Sequence, residues 1–215
     1  MAAVRTYPAA AAVAGLVFGH GAGAGEDHPW IEHVGRGLSG RGITVSTFNF
    51  PYRDAGRRAP DPPRVLEEAF RAAWTTASHA LALPLFAGGK SMGGRIATQT
   101  AARLEPAPRG VVCLGYPLHP PGKPTERRDQ HLPRMGVPVL FVSGTKDPFG
   151  SPDELRALSA SLDGAALELF DGGDHSIQTR RRGAENELLD RAIVVAADWM
   201  RAIVTAGQAS APARR

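Results

Sequence analysis

The chain has 215 residues, 43% of them hydrophobic, enough for one domain with a substantial core, and no shift in composition marks a second. Its formal charge is only +4, carried by scattered arginines, and the short run Arg180-Arg181-Arg182 has no aromatic residues beside it for stacking, which argues against nucleic-acid binding. The single cysteine, Cys113, excludes an internal disulfide and fits a reducing, cytoplasmic setting; no apolar run is long enough to span a bilayer.

From the N-terminus, residues Met1 to Gly25 admit two readings. One arginine, an apolar stretch from Ala9 to Phe18 and the small-residue triplet Ala22-Gly23-Ala24 resemble a leader with its cleavage site. The same stretch contains a strand candidate, Val13 to Phe18, and a glycine-rich loop, Gly19 to Gly25, and as part of the fold it stays. Further strands are expected at Ile43 to Phe50, Leu83 to Ala87, Val111 to Gly115, Val137 to Ser143 and Ala166 to Phe170. Several are apolar throughout, as in a parallel sheet buried on both faces, and Cys113 within one of them reads as a buried structural thiol.

Helix signals fall between these strands. Asp61 followed by Pro62 and Pro63 starts one, with Leu66, Phe70, Ala73 and Ala77 at helical spacing. Ser151-Pro152-Asp153-Glu154 is a capping box with proline at the first helical position, followed by Leu155, Leu158 and Leu162 and stopped by Gly164. Leu188, Ala192, Val195, Trp199 and Ile203 mark one face of a long last helix, and residues 206–215 read as a disordered tail after a single domain over 1–205. The alternation predicts an α/β fold: an open, mainly parallel sheet joined by right-handed crossovers, with ligands bound at the carboxyl ends of its strands.

Reactive residues fall at those ends. Gly89-Lys90-Ser91-Met92-Gly93 is a G-x-S-x-G pentapeptide after an apolar run, the pattern of a serine on a tight strand-to-helix turn. A phosphate-binding loop would need glycine where Pro84 stands. Asp147 follows the strand ending at Ser143, and His175 follows the one ending at Phe170, so the order is Ser, Asp, His. A serine hydroxyl becomes a good nucleophile when an imidazole takes its proton, and a carboxylate fixes the imidazole's tautomer. Asp147 is the acid taken here, with Asp171 and Asp153 as alternatives; Asp174 adjoins His175 and has little room to reach around the ring to Nδ1.

An oxyanion needs two donors. The Met92 N–H is the expected first, and the second is expected from the loop Gly19 to Gly25. That loop also matches the dinucleotide fingerprint G-x-G-x-x-G/A, but the second strand ends in Thr47-Phe48-Asn49-Phe50 without the acidic residue that a ribose requires. The His, Asp and Glu residues show no metal-ligand spacing, so the reading calls for no metal and no organic cofactor.

Five runs carry a resemblance: His20 to Gly25, Asn49 to Arg53, Gly88 to Arg95, Gly115 to Pro124 and Gly144 to Asp147. Together they resemble the α/β-hydrolases, in particular the small dienelactone-hydrolase-like branch and, within it, the group of testis-expressed proteins and a scaffold subunit of a histone-acetylating chromatin complex. The resemblance runs from about Val13 to Ile203. It implies a three-layer sandwich on a six- or seven-stranded sheet with no lid domain, Ser91 as nucleophile, Asp147 as acid, His175 as base and Ala22 as second oxyanion donor. Dienelactone hydrolases themselves carry cysteine as nucleophile, so that substrate is not carried over.

The expected function is therefore a serine hydrolase that cleaves a small-molecule ester or similarly activated acyl bond through an acyl-enzyme. The alternative is a catalytically silent interaction module. The expected site is open and bordered by His28, Trp30, Tyr52, Tyr116 and His119 as substrate contacts, with core packing as the alternative role for Trp30 and Tyr52. The sequence leaves the natural substrate and the oligomeric state open.

Overall fold

The computed structural model describes residues 3–179, 181 and 183–209. Arg180, Arg182 and the part of the expected tail beyond Ala209 lie outside them. Seven strands make one sheet: β1 (Arg5–Tyr7), β2 (Ala14–Gly19), β3 (Ile43–Phe48), β4 (Leu85–Lys90), β5 (Val111–Leu114), β6 (Val139–Gly144) and β7 (Ala165–Phe170). Their order is β1-β3-β2-β4-β5-β6-β7. β1 pairs antiparallel with β3, and all other pairings are parallel.

Among the described residues, six α-helices flank the sheet: α1 (Pro29–Ser39), α2 (Pro51–Asp54), α3 (Pro63–Ala80), α4 (Met92–Thr100), α5 (Pro152–Ala160) and α6 (Glu187–Ala209). Proline opens the first three and α5, where its fixed φ suits the first turn and its missing N–H costs nothing. Two cores result. One face of the sheet packs against Leu66, Phe70 and Trp74 of α3, Ile96 of α4 and Leu155 of α5. The other packs against Ile31, Val34 and Leu38 of α1 and Leu189, Ile193 and Met200 of α6. Within β2, Val17 faces the first core and Leu16 and Phe18 the second, the alternation a doubly covered strand requires. The result is a three-layer α/β sandwich, with no separate lid domain among the described residues.

The chain leaves β2 toward β3 on one side and leaves β4 toward β5 on the other, so a crevice opens where the strand order reverses, beyond the carboxyl ends of β2 and β4.

Several boundaries differ from expectation for local reasons. β4 runs three residues past Ala87, because Gly88 and Gly89 serve close packing rather than a turn: a Cβ on Gly88 would lie 2.6 Å from the carbonyl oxygen of Val112. β3 stops at Phe48, since Phe50 caps α2 ahead of Pro51. β6 begins after Pro138, which has no N–H for the ladder. The buried stripe of α6 centres on Leu189, Ala192, Ile193, Ala196 and Met200, one position round from the expected face, with Leu188, Val195, Trp199 and Ile203 at its margin. The helix also continues to Ala209, into the stretch expected to be a tail. The segment that resembles a leader supplies β1 and β2.

Candidate active site

Ser91 is the residue between β4 and α4, with φ 50° and ψ −115°, a conformation a non-glycine residue rarely adopts. The turn is possible because its neighbours lack side chains: a Cβ on Gly89 would overlap the backbone of Gly93, and one on Gly93 would overlap the carbonyl of Gly19. The Ser91 N–H donates to the Leu114 carbonyl at 3.0 Å, tying the turn to the end of β5.

Asp147 lies three residues beyond β6 and is 5% exposed. Its carboxylate accepts from the Phe149 N–H at 2.9 Å and from the Ser143 hydroxyl at 3.2 Å. His175 lies five residues beyond β7. Its Nδ1 is 2.8 and 2.9 Å from the two carboxylate oxygens of Asp147, and its Nε2 is 2.8 Å from Ser91 Oγ. Since the ionised carboxylate only accepts, Nδ1 carries the hydrogen and Nε2 is left to accept from the serine. Phe149 stacks on the imidazole, centroids 4.2 Å apart. Asp174 does not touch the ring: its Oδ1 accepts from the N–H groups of Ser176 and Gln178 and so closes the turn that carries His175.

Beside Ser91 runs the loop after β2. A Cβ on Gly21 would stand 3.7 Å from that of Ser91. The carbonyls of Gly21 and Ala22 are both held from behind, by His20 Nδ1 and the Tyr52 hydroxyl, each at 2.8 Å. His20 Nε2 accepts from the Phe50 N–H at 3.1 Å, which leaves the hydrogen on Nδ1. Burial pushes the His20 imidazole down to about 4, so the neutral form persists. Among the described residues, the N–H groups of Met92 and Ala22 have no protein acceptor.

These elements surround a cavity of about 690 Å³ lined by Ala22, His28, Trp30, Lys90, Ser91, Phe149 and His175 among others. His28 caps α1, accepting from the Trp30 N–H, and Trp30 donates from its indole to the Ser176 carbonyl at 2.9 Å. The other three expected substrate contacts stand elsewhere. Tyr52 is fully buried behind Ala22. Tyr116 is buried with its hydroxyl on the Arg128 carbonyl, and His119 is turned toward the Pro120 carbonyl and Glu154. Tyr116 and His119 turn inward because their polar groups find partners within the protein, and Phe149 lines the cavity beside His175. Phe149, Gln178 and Asn186 line the cavity without having been singled out in the sequence, where only the nearness of Phe149 to Asp147 hinted at one of them. No group of three or more His, Cys, Asp or Glu among the described residues could hold a metal ion, and no described helix is long and apolar enough to cross a membrane.

A family model for the alpha/beta hydrolase domain matches residues 12–204. Among solved structures, the chain is similar to the esterase domain of a Rhodothermus marinus protein, at TM-score 0.69 and 18% identity over 94% of this chain and 92% of that one. It is similar to dienelactone hydrolase from Anabaena variabilis, at 0.70 and 19% over 92% and 90%. It is also similar to Est1E from Butyrivibrio proteoclasticus with ferulic acid bound, at 0.72 and 14% over 94% and 95%. At these identities the likeness is one of fold.

Proposed function

The chain belongs to the alpha/beta hydrolase domain family, and from that membership we propose that it is a serine hydrolase cleaving a small ester or similarly activated acyl bond. The observation that carries the reading is the unbroken line of hydrogen bonds from Ser91 Oγ through His175 to Asp147. His175 takes the Ser91 proton as Oγ attacks the acyl carbon, and the buried Asp147 carboxylate stabilises the imidazolium that forms. The N–H groups of Met92 and Ala22 receive the oxyanion. The imidazolium then protonates the leaving alcohol, and water, activated by the same imidazole, releases the acid from the Ser91 acyl-enzyme.

Within the family we place the chain in the small dienelactone-hydrolase-like branch, nearest the testis-expressed and chromatin-complex group, on the motif runs quoted above. A cytoplasmic setting belongs to the same proposal and rests on the lone buried Cys113. p-Nitrophenyl esters of graded acyl length test the reading: the wild type turns over the shorter members, and Ser91→Ala loses several orders of magnitude while keeping a small rate over water. Equal rates for the two proteins on every ester that the wild type cleaves would leave the interaction-module alternative in its place.

A further inference from the structure

Lys90 occupies the variable position before Ser91, where the G-x-S-x-G turn itself demands no charge. The fold nevertheless buries it: Lys90 is 8% exposed, and its side chain reaches the cavity rather than the outer surface. Its Nζ donates to the backbone carbonyl of His175 and lies 5.5 Å from the centre of the Trp30 ring. Placing an ammonium there is costly, since it leaves water for a carbonyl and an aromatic face. The surroundings are shaped for it. A Cβ on Gly115 would stand 2.6 Å from the His175 carbonyl oxygen and 3.1 Å from Lys90 Nζ, so only glycine leaves both in place.

The carbonyl that Lys90 holds belongs to the residue whose ring bridges Ser91 and Asp147. The next carbonyl along, that of Ser176, is held by the Trp30 indole. The described residues between β7 and α6 have no regular structure of their own, and Ile177 among them has φ 55°. Two consecutive carbonyls are thus fixed by one cation and one indole that also touch each other. We propose that Lys90 is a positioning residue, its buried ammonium tethering the backbone of His175 so that the imidazole stays between Ser91 and Asp147. The proposal rests on the serine-hydrolase reading.

The tether depends on pH. Burial pushes the Lys90 amine down to about 8, against the pull of Asp147 after β6 and Asp174 after β7. Besides those carboxylates, the titratable groups on the cavity that Lys90 lines are the His175 imidazole, His33 of α1 and His28 at its cap; α1 also lays the Trp30 ring against the ammonium. Below that pH the amine is charged and its bond to the carbonyl is charge-assisted; above it the bond is a neutral one of roughly half the strength. The contribution of the tether to turnover therefore declines as pH rises through about 8.

Lys90→Met keeps an unbranched side chain one heavy atom shorter and removes the ammonium. It is expected to lower kcat at pH 7 by about 10- to 100-fold with KM changed less than about twofold, and to erase the alkaline decline. Lys90→Cys treated with 2-bromoethylamine restores an ammonium with sulfur in place of one methylene. Cys113 is fully buried with its thiol pushed up by that burial, so alkylation is confined to the introduced thiol. This treatment is expected to recover most of the lost kcat, with the decline displaced to lower pH because sulfur withdraws electrons. A Lys90→Met enzyme with the wild-type kcat and pH profile overturns the tether, as does an aminoethylated protein no better than untreated Lys90→Cys. A wild type that hydrolyses no ester and leaves Ser91 unlabelled by a fluorophosphonate overturns the serine-hydrolase reading and takes the tether with it, whereas a labelled, active wild type matched by Lys90→Met sinks the tether alone.

Discussion

Tyr52 donates its phenolic hydrogen to the carbonyl of Ala22 at 2.8 Å while wholly buried behind the loop that runs past Ser91. It acts on that loop from the protein side, and no substrate can touch it. With His20 holding the adjacent Gly21 carbonyl, the two peptide groups around the Ala22 N–H are anchored before any substrate arrives. A donor fixed in advance is worth more to a developing oxyanion than one that must reorganise.

Tyr52→Phe removes one hydroxyl and leaves the ring in its place. It is expected to lower kcat by about 3- to 10-fold, equivalent to roughly 0.5–1.5 kcal/mol, with KM nearly unchanged. Steady-state kinetics on the best p-nitrophenyl ester check this, and an effect confined to KM would return Tyr52 to the role of a substrate contact.

His20 makes stability depend on pH. Its pKa is 6.5 when unperturbed and is pushed down to about 4 by burial, so between these values the unfolded chain binds the proton that the folded one refuses. The contribution is complete above about pH 6.5 and is lost as pH falls toward 4. Urea unfolding at pH 7.5 and 4.5 is expected to show a loss of about 2–3 kcal/mol attributable to this group. His20→Asn, which cannot titrate, is expected to lack that part of the loss. Parallel pH profiles for the two proteins would contradict the assignment.

Much of this architecture can be read from the chain because its cues are local. The capping box at Ser151, with Oγ accepting from the Glu154 N–H at 3.4 Å and the Glu154 carboxylate accepting from the Ser151 N–H at 2.9 Å, lies within four residues. The proline before α3 and the order of Ser91, Asp147 and His175 at strand ends are likewise visible without a structure. What escaped depends on distant partners. β1 is three residues long, too short to show a period, and exists through pairing with β3 some forty positions away. Tyr52, Tyr116 and His119 looked like a rim because they follow strands, yet each has a partner inside the protein that turns it away. Lys90 is no more than the variable residue of the pentapeptide when read from the chain, since its acceptor is 85 residues further along.

Gly93 and Gly23 form a matched pair for testing the turn. A methyl on Gly93 would run into the Gly19 carbonyl, whereas nothing lies within 4 Å of one on Gly23. Gly93→Ala is expected to lose about 3 kcal/mol or more in urea unfolding, and Gly23→Ala to stay within about 0.5 kcal/mol of the wild type. A stable, fully active Gly93→Ala would mean that helix α4 can move away from β2, and the close approach would not be what sets the turn.

The most direct test of the central claim is intact-mass analysis with peptide mapping after treatment with a fluorophosphonate, which adds covalently to a serine activated by a neighbouring imidazole. The account predicts one adduct per chain, located on Ser91, forming in step with the loss of esterase turnover and absent from Ser91→Ala. An unmodified Ser91 in a folded protein, or an adduct on Ser91 that leaves turnover intact, would contradict it.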